Sequence, residues 1–122
     1  MKDFYTNFID SYSEVSGQAT LGSVWSAVDI GSITVNTKGT YLVSVTYSVP
    51  FNEGTYYIRV FRNGADMGGE TKVANTYYNL KGTLTRLVNV EGNATLSCSI
   101  GSGQTSTVGK KCDYVMRVVK IE

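Results

Sequence analysis

Residues 39–49, GTYLVSVTYSV, constrain the fold more than any other stretch of the chain. Every second residue from Tyr41 to Val49 is aromatic or apolar, and the residues between them are Thr or Ser except for Leu42. This two-residue period predicts a β-strand with one face in a core and the other face in a more polar environment. The chain must therefore supply at least one sheet and a layer that covers its apolar face.

Similar strand signals recur at short intervals and are separated by glycine- and asparagine-containing turns. With 122 residues, thirteen glycines, nine tyrosines and 17% charged residues, the composition is typical of a β-rich domain with many turns. We expect one domain over residues 1–122 and find no repeat or linker. Residues 1–14 are undecided: Phe4, Phe8 and Tyr12 have helical spacing, but the segment also fits an extended N-terminal arm.

The strand pattern predicts an antiparallel all-β sandwich or barrel and not alternating β and α units. Asn63-Gly64 indicates a tight hairpin, because both residues tolerate a positive φ. A second turn is expected at 91–93, residues 65–78 look like a polar loop with room for a short strand, and 101–111 looks like a glycine-serine loop. Strands are expected in the following ranges: 23–31, 32–36, 39–49, 55–64, 80–90, 94–100 and 112–122.

The residue types present argue against an enzyme. The chain has no histidine, which removes Ser-His-Asp, Cys-His and histidine–metal arrangements together. The acidic residues fall mostly in turns and near the termini, where solvated carboxylates are the simplest interpretation. We predict no catalytic residue, no metal site and no cofactor.

Charge and hydropathy exclude two further classes of partner. The net charge is +1 and the basic residues are scattered, so the chain lacks a basic stripe that could neutralise nucleic-acid phosphates. No apolar run approaches the roughly 20 residues needed to span a bilayer as a helix. The first ten residues do not resemble a signal peptide, so we expect that the protein works where it is made, leaves by another route, or has the sequence of a mature form or fragment.

The two cysteines, Cys98 and Cys112, allow two interpretations. A disulfide between them would close a 15-residue loop and add roughly 3 kcal/mol to stability. Two free thiols are favoured, because a chain without a signal peptide stays in a reducing compartment.

Several aromatic and apolar residues are candidates for an interface or ligand site. Tyr56-Tyr57 and Tyr77-Tyr78 are adjacent pairs, so in a strand one member of each pair faces outward. An outward tyrosine can stack on a sugar ring or fill a subunit contact, although β-propensity alone also explains its presence. We add Trp25 as a saccharide-stacking candidate and Leu42 as a contact residue on the otherwise polar face of its strand.

Three segments, taken in order, resemble the tumour-necrosis-factor-like and complement-head family of jelly rolls. Gly39-Thr40-Tyr41-Leu42-Val43 resembles the Gly-x-Tyr-x-Phe/Val strand of that family, and IRVFRNG at 58–64 resembles its strand ending in Asn-Gly. LVNVEGNATLSCSI at 87–100 is similar to its Leu-x-x-Gly-Asp-x-Val-x-Leu stretch, with Asn93 in place of Asp. The closing Phe-x-Gly-x-Leu of the complement heads is absent.

The resemblance implies a jelly-roll sandwich of about ten antiparallel strands that assembles as a homotrimer. It also implies a structural or attachment protein of a phage fibre, baseplate or capsid surface, in contact with other virion proteins and with a host receptor or saccharide. A carbohydrate-binding module of a non-viral protein is the alternative, on the basis of the tyrosines, Trp25 and the low charge.

Overall fold

The computed structural model describes residues 12–22, 27–49, 54–74, 80–103 and 109–122. These residues form eight β-strands in two four-stranded sheets: β1 (Tyr12–Thr20), β2 (Val28–Val35), β3 (Gly39–Val49), β4 (Gly54–Arg62), β5 (Ala65–Ala74), β6 (Leu80–Val90), β7 (Ala94–Ser102) and β8 (Lys111–Lys120). Sheet A has the order β1-β8-β3-β6 and sheet B the order β2-β7-β4-β5, with every neighbouring pair antiparallel. The jelly-roll prediction is confirmed, with eight strands in the described residues and not the expected ten.

The core lies between the two sheets and follows the predicted alternation. In β3, Val43, Val45 and Tyr47 are at most 1% exposed, and their partners across the sandwich include Ile58 and Leu96, which are fully buried. At the start of the same strand, the hydroxyl of Tyr41 donates a hydrogen bond to the carbonyl of Thr37 at 2.6 Å. Tyr41 therefore ties the turn before β3 to the core.

Two polar contacts join sheet A to sheet B beside the edge strands β5 and β6. The Tyr47 hydroxyl on β3 donates to Glu70 Oε1 on β5 at 2.8 Å, and Arg86 Nη2 on β6 donates to the carbonyl of Gly69 at 2.6 Å. A side chain at Gly82 would overlap the phenol end of Tyr47, so this position needs glycine to let the ring reach Glu70.

The structure corrects two sequence predictions. Residues 65–74 form the long edge strand β5 and not a polar loop, because they pair with β4 across the Asn63-Gly64 turn. The segments expected at 23–31 and 32–36 are, over the described residues, one strand, β2, with a bulge between Asp29 and Gly31. The bulge adds a residue, and it lets Ile30 and Ile33 both face the core although they are three apart.

β1 was not predicted as a strand beyond the undecided N-terminal segment, because most of its residues are polar and exposed. Among the described strands it lies at the edge of sheet A and pairs with β8, a position where a continuous apolar face is not required. The expected turns at 63–64 and 91–93 join consecutive strands as predicted.

Cys98 and Cys112 are free thiols and both are fully buried. Burial raises the pKa of Cys98 to about 12 and that of Cys112 to about 11. Burial, followed by the hydrogen bond to Glu70, raises the pKa of Tyr47 above its usual value of 10.

We expect stability to fall above pH 9 because of these three groups. Each is an acid whose neutral form is favoured by folding, so its contribution is complete below the unfolded pKa and is lost as pH rises towards the folded value. The loss is up to about 1.4 kcal/mol per pH unit for each group. Thermal unfolding of a Cys98→Ala/Cys112→Ala variant between pH 8 and 11 should show a shallower decline than wild type. Val45→Ala is the control: it should lower the melting temperature at every pH and leave the slope unchanged, and equal slopes for all three proteins would contradict the account.

Glu70→Ala should destabilise the fold by about 1–3 kcal/mol, because it leaves the buried Tyr47 hydroxyl without its acceptor. Tyr47→Phe removes the donor as well and should cost less. The exposed Lys38–Glu91 pair, at 3.6 Å, supplies the control: Glu91→Ala should change stability by less than about 0.5 kcal/mol. Urea unfolding followed by circular dichroism measures all three variants, and a Glu70→Ala effect no larger than that of Glu91→Ala would refute the role of this contact.

Candidate functional site

The outward faces of the two sheets differ in character. Sheet A carries an apolar row that crosses all four of its strands at one level, in the register Tyr12–Val119–Leu42–Leu87. Leu87 is 63% exposed and Tyr12 is 39% exposed, while Leu42 and Val119 are half-buried. We call these four residues the apolar row.

The C-terminus extends this apolar surface. The amide of Ile121 donates to the carbonyl of Thr40 at 2.8 Å, which places Ile121 beside the start of β3, and its side chain is 49% exposed. Leu87, Tyr12 and Ile121 are the large hydrophobic residues most exposed among those described. All three lie at the same end of one face, and such clustering is typical of a contact surface.

Towards the other end, the outward face of sheet A becomes progressively polar. The next row holds an ion pair, with Arg117 Nε 2.7 Å from Glu14 Oε1. Further along, Gln18 donates to Asp113 at 2.7 Å, and Asp113, Ser48 and Lys81 border a depression of about 330 Å³. The face therefore combines an apolar strip with a polar, internally paired surround, which is the anatomy of many protein interfaces.

The outward face of sheet B carries aromatic and charged residues in place of aliphatic ones. Tyr57, Arg59 and Phe61 follow each other on β4 at alternate positions and face away from the core, because Tyr56, Ile58 and Val60 are fully buried. Arg59 Nη1 lies 2.9 Å from Asp66 Oδ2, and Oδ1 of the same carboxylate accepts a hydrogen bond from the Gly68 amide at 2.8 Å.

The candidate residues from the sequence fall into three groups. Leu42 and Tyr57 face outward, on sheets A and B respectively. Tyr56 belongs to the core at 0% exposure, so it cannot contact a surface ligand; it is the inward member of its pair. Trp25, Tyr77 and Tyr78 lie outside the described residues.

Sequence reasoning missed Tyr12, Leu87, Val119 and Phe61. The sequences of β8 and β6 have apolar residues at both alternate sets of positions, and this was the available signal for an apolar outward face. Only the strand order and register show that Tyr12, Val119, Leu42 and Leu87 share one level of one face.

The described residues give no indication of a metal centre or a membrane span. They contain no group of three or more His, Cys, Asp and Glu side chains that could hold a metal ion. In the same residues, no helix has the length and apolar character needed to cross a membrane.

Solved structures share the jelly-roll fold to which the sequence motifs pointed and confirm that fold. The globular domain of zebrafish complement 1qA protein superposes with a TM-score of 0.68 at 11% identity, covering 92% of this chain and 97% of that one. The C-terminal domain of EclA, a sugar-binding protein, gives 0.58 at 17% identity, over 86% of this chain and 78% of that one. A protein of Bacillus endospore appendages, described as disulfide-linked pili, gives 0.53 at 12% identity, over 89% and 85%.

Neither a protein-family model nor a curated protein sequence matches the chain. The structural likenesses establish a complement-1q- and tumour-necrosis-factor-like jelly roll. The neighbours named above are compatible with a binding or structural module.

Proposed function

We propose that the protein is a non-enzymatic structural or attachment module that assembles as a homotrimer on a virion appendage or capsid surface. The observation that carries the proposal is the apolar row on the outward face of sheet A. The row is continuous across four strands, and its most exposed member, Leu87, is 63% exposed in the single chain. Burying such a strip against another copy of the chain would remove apolar surface from water and so favour assembly.

The charges on the same face favour a second copy of the chain as the partner that covers the apolar row. The ion pair Glu14–Arg117 satisfies the charged groups next to the row within the chain itself, and the hydrogen bond Gln18–Asp113 does the same further along the face. A highly charged partner would gain little there, whereas a second copy presents the same apolar strip and the same neutral surround. In a closed ring of three copies, the same strip of each copy would lie in an equivalent contact around the three-fold axis.

A role on an appendage is supported by the fold and by the kind of structures that share it. One neighbour forms endospore appendages and another is the head domain of a complement protein. We extend this to a phage fibre, baseplate or head decoration, in contact with other virion proteins. Sequencing around the gene tests this part: tail or capsid genes beside it are expected, and neighbours that encode only sugar metabolism would count against it.

A carbohydrate-binding module is the second candidate function. The aromatic and charged residues Tyr57, Arg59 and Phe61 on the outward face of sheet B favour it, and one structural neighbour is a sugar-binding domain. The two roles are compatible, because assembly uses sheet A and leaves sheet B open.

Leu42→Asp and Leu87→Asp should dissociate the oligomer and leave the fold intact. Each places a carboxylate in the apolar row, Leu42→Asp inside it and Leu87→Asp at its β6 end, where burial of an unpaired charge is strongly unfavourable. Light scattering coupled to size exclusion at micromolar concentration should give a trimer for the wild type and the 13.3 kDa monomer for both variants. Leu87→Asp is the cleaner variant, because the exposed Leu87 side chain adds little to the stability of the single chain.

Thr34→Asp is the matched control, since it adds the same charge to an exposed position on sheet B. It should remain a trimer. A monomeric wild type would refute the assembly proposal, and a Leu87→Asp protein that stays trimeric would show that the interface is elsewhere.

A further inference from the structure

The outward face of sheet B has a ridge on β4 beside a low floor on β7. The three large side chains of the ridge each pair with a small residue across the ladder. The pairs are Tyr57 with Gly101, Arg59 with Ser99, and Phe61 with Ser97. Beyond this floor, β2 places Asp29 opposite Ser99 and Ser32 opposite Ser97. The resulting surface is shallow and open along the strand direction.

Tyr57 lies flat on this floor. A Cβ atom built on Gly101 would overlap Cζ, Oη and Cε2 of Tyr57 and would be nearly equidistant from the three atoms. Such near-equal distances place the face of the ring, not its edge, over the glycine. Gly101 itself is buried, and desolvation raises the pKa of the Tyr57 phenol, as expected for a ring held against the sheet.

A glycine–tyrosine pair also occurs inside the sandwich, where Tyr47 approaches Gly82. Such pairs stabilise sheets, and the inner pair has the further task of reaching Glu70. Tyr57 differs because one side of its ring faces Gly101 and the opposite side is turned away from the sheet. A flat, half-exposed aromatic ring of this kind is a stacking surface for another apolar face.

Polar groups lie beside the Tyr57 ring, with Arg59 on β4 and Asp66 on the neighbouring strand β5. The Arg59 guanidinium, with five N–H donors, uses Nη1 for Asp66 and remains about half exposed. Asp66 is held in place by the Gly68 amide, so both members of the pair have fixed positions. Phe61 stands two residues beyond Arg59, so the two aromatic residues are separated by about 13 Å along the strand.

The charge balance selects the class of ligand. Arg59 and Asp66 neutralise each other and Asp29 leaves the face slightly negative, so the face offers a phosphate- or sulfate-bearing polymer no net positive charge. A neutral ligand needs flat apolar faces for the rings and hydroxyl groups that both donate to Asp66 and accept from Arg59. Pyranose sugars have both properties.

We propose that the outward face of sheet B binds a neutral oligosaccharide that lies along β4, stacked on Tyr57 and Phe61 and hydrogen-bonded by the Arg59–Asp66 pair. The inference deepens the carbohydrate-binding role given above as the second candidate function, and it is independent of the proposed trimer. It assigns the saccharide to one face of the sandwich and to one chemical class.

A panel of neutral hexasaccharides (malto-, cello-, manno- and N-acetylchito-hexaose) together with sialylated and sulfated glycans tests the class. The wild-type protein should bind at least one neutral glycan, and titration calorimetry then gives its Kd. Tyr57→Ala and Phe61→Ala should each weaken binding of that glycan by about tenfold or more, the loss typical of an aromatic anchor at a binding site. Gly101→Ala should weaken it as well, because the added methyl lifts the ring from the sheet.

Two control variants distinguish loss of the binding site from loss of the fold. Tyr57→Phe keeps the stacking ring and should bind within about threefold of wild type, since a change of that size is well below 1 kcal/mol. Leu87→Asp alters sheet A and should leave the Kd per chain unchanged. Melting temperatures identify any variant that has lost its fold.

Each outcome has a distinct meaning. Absence of binding to every glycan would overturn this inference together with the carbohydrate-binding role, while the light-scattering result for the trimer would stand. Binding that survives both Tyr57→Ala and Phe61→Ala would overturn the location, and preference for sulfated or sialylated glycans would overturn the neutral class.

Discussion

The packing of two apolar sheet faces against each other determines where every functional side chain lies. Val43, Val45 and Ile58 are fully buried between the sheets, and the two-residue period of a strand then sends each of their neighbours outward. Because this burial fixes the register, a slip of one residue would exchange the core with the surface. The packing of the core thus determines which side chains lie on each outward face.

The apolar residues that remain outside are not spread evenly. On sheet A most of them lie in one row across four strands, which Ile121 extends, and the ion pair beside the row is formed within the chain. On sheet B the outward positions of the β4–β7 ladder pair Tyr57, Arg59 and Phe61 with glycine or serine. A sandwich that needed only to be stable in water would not require either arrangement. We propose that the outward face of sheet A is buried in the assembly and that the outward face of sheet B stays accessible and binds the ligand.

The sequence predicted most of the sheet structure and only part of the site. Alternation in β3 and the Asn63-Gly64 turn were strong local signals, and the three motifs in order pointed to the jelly roll. β1 and β5 were not assigned as long strands, because both are edge strands whose residues are mostly polar or small. β1 pairs with β8, which is distant in the sequence, so local propensity does not reveal that pairing. β5 pairs with its neighbour β4 across the Asn63-Gly64 turn, but its polar and glycine-rich sequence lacks a clear two-residue alternation.

The same limit applies to individual residues. The pair Tyr56-Tyr57 predicted one outward ring, but which of the two faces out depends on the neighbouring strands, and the structure buries Tyr56. Leu42 was singled out because it interrupts a Thr/Ser face. Its partners Leu87, Val119 and Tyr12 come from three other strands, so only the strand order brings them to one level.

Maleimide labelling of two variants that each carry one added surface cysteine tests the division of faces most directly. Thr85 on β6 and Thr34 on β2 are exposed and lie on opposite faces of the sandwich. The hydroxyl of each lies 3.4 Å from a hydroxyl on the neighbouring strand, so the two positions have similar surroundings. The native Cys98 and Cys112 are buried thiols that give a low background. In the assembled protein, Thr85→Cys should label much more slowly than Thr34→Cys, and the difference should disappear on dilution to monomers. Equal rates in the assembled protein, or slower labelling of Thr34→Cys, would contradict the account.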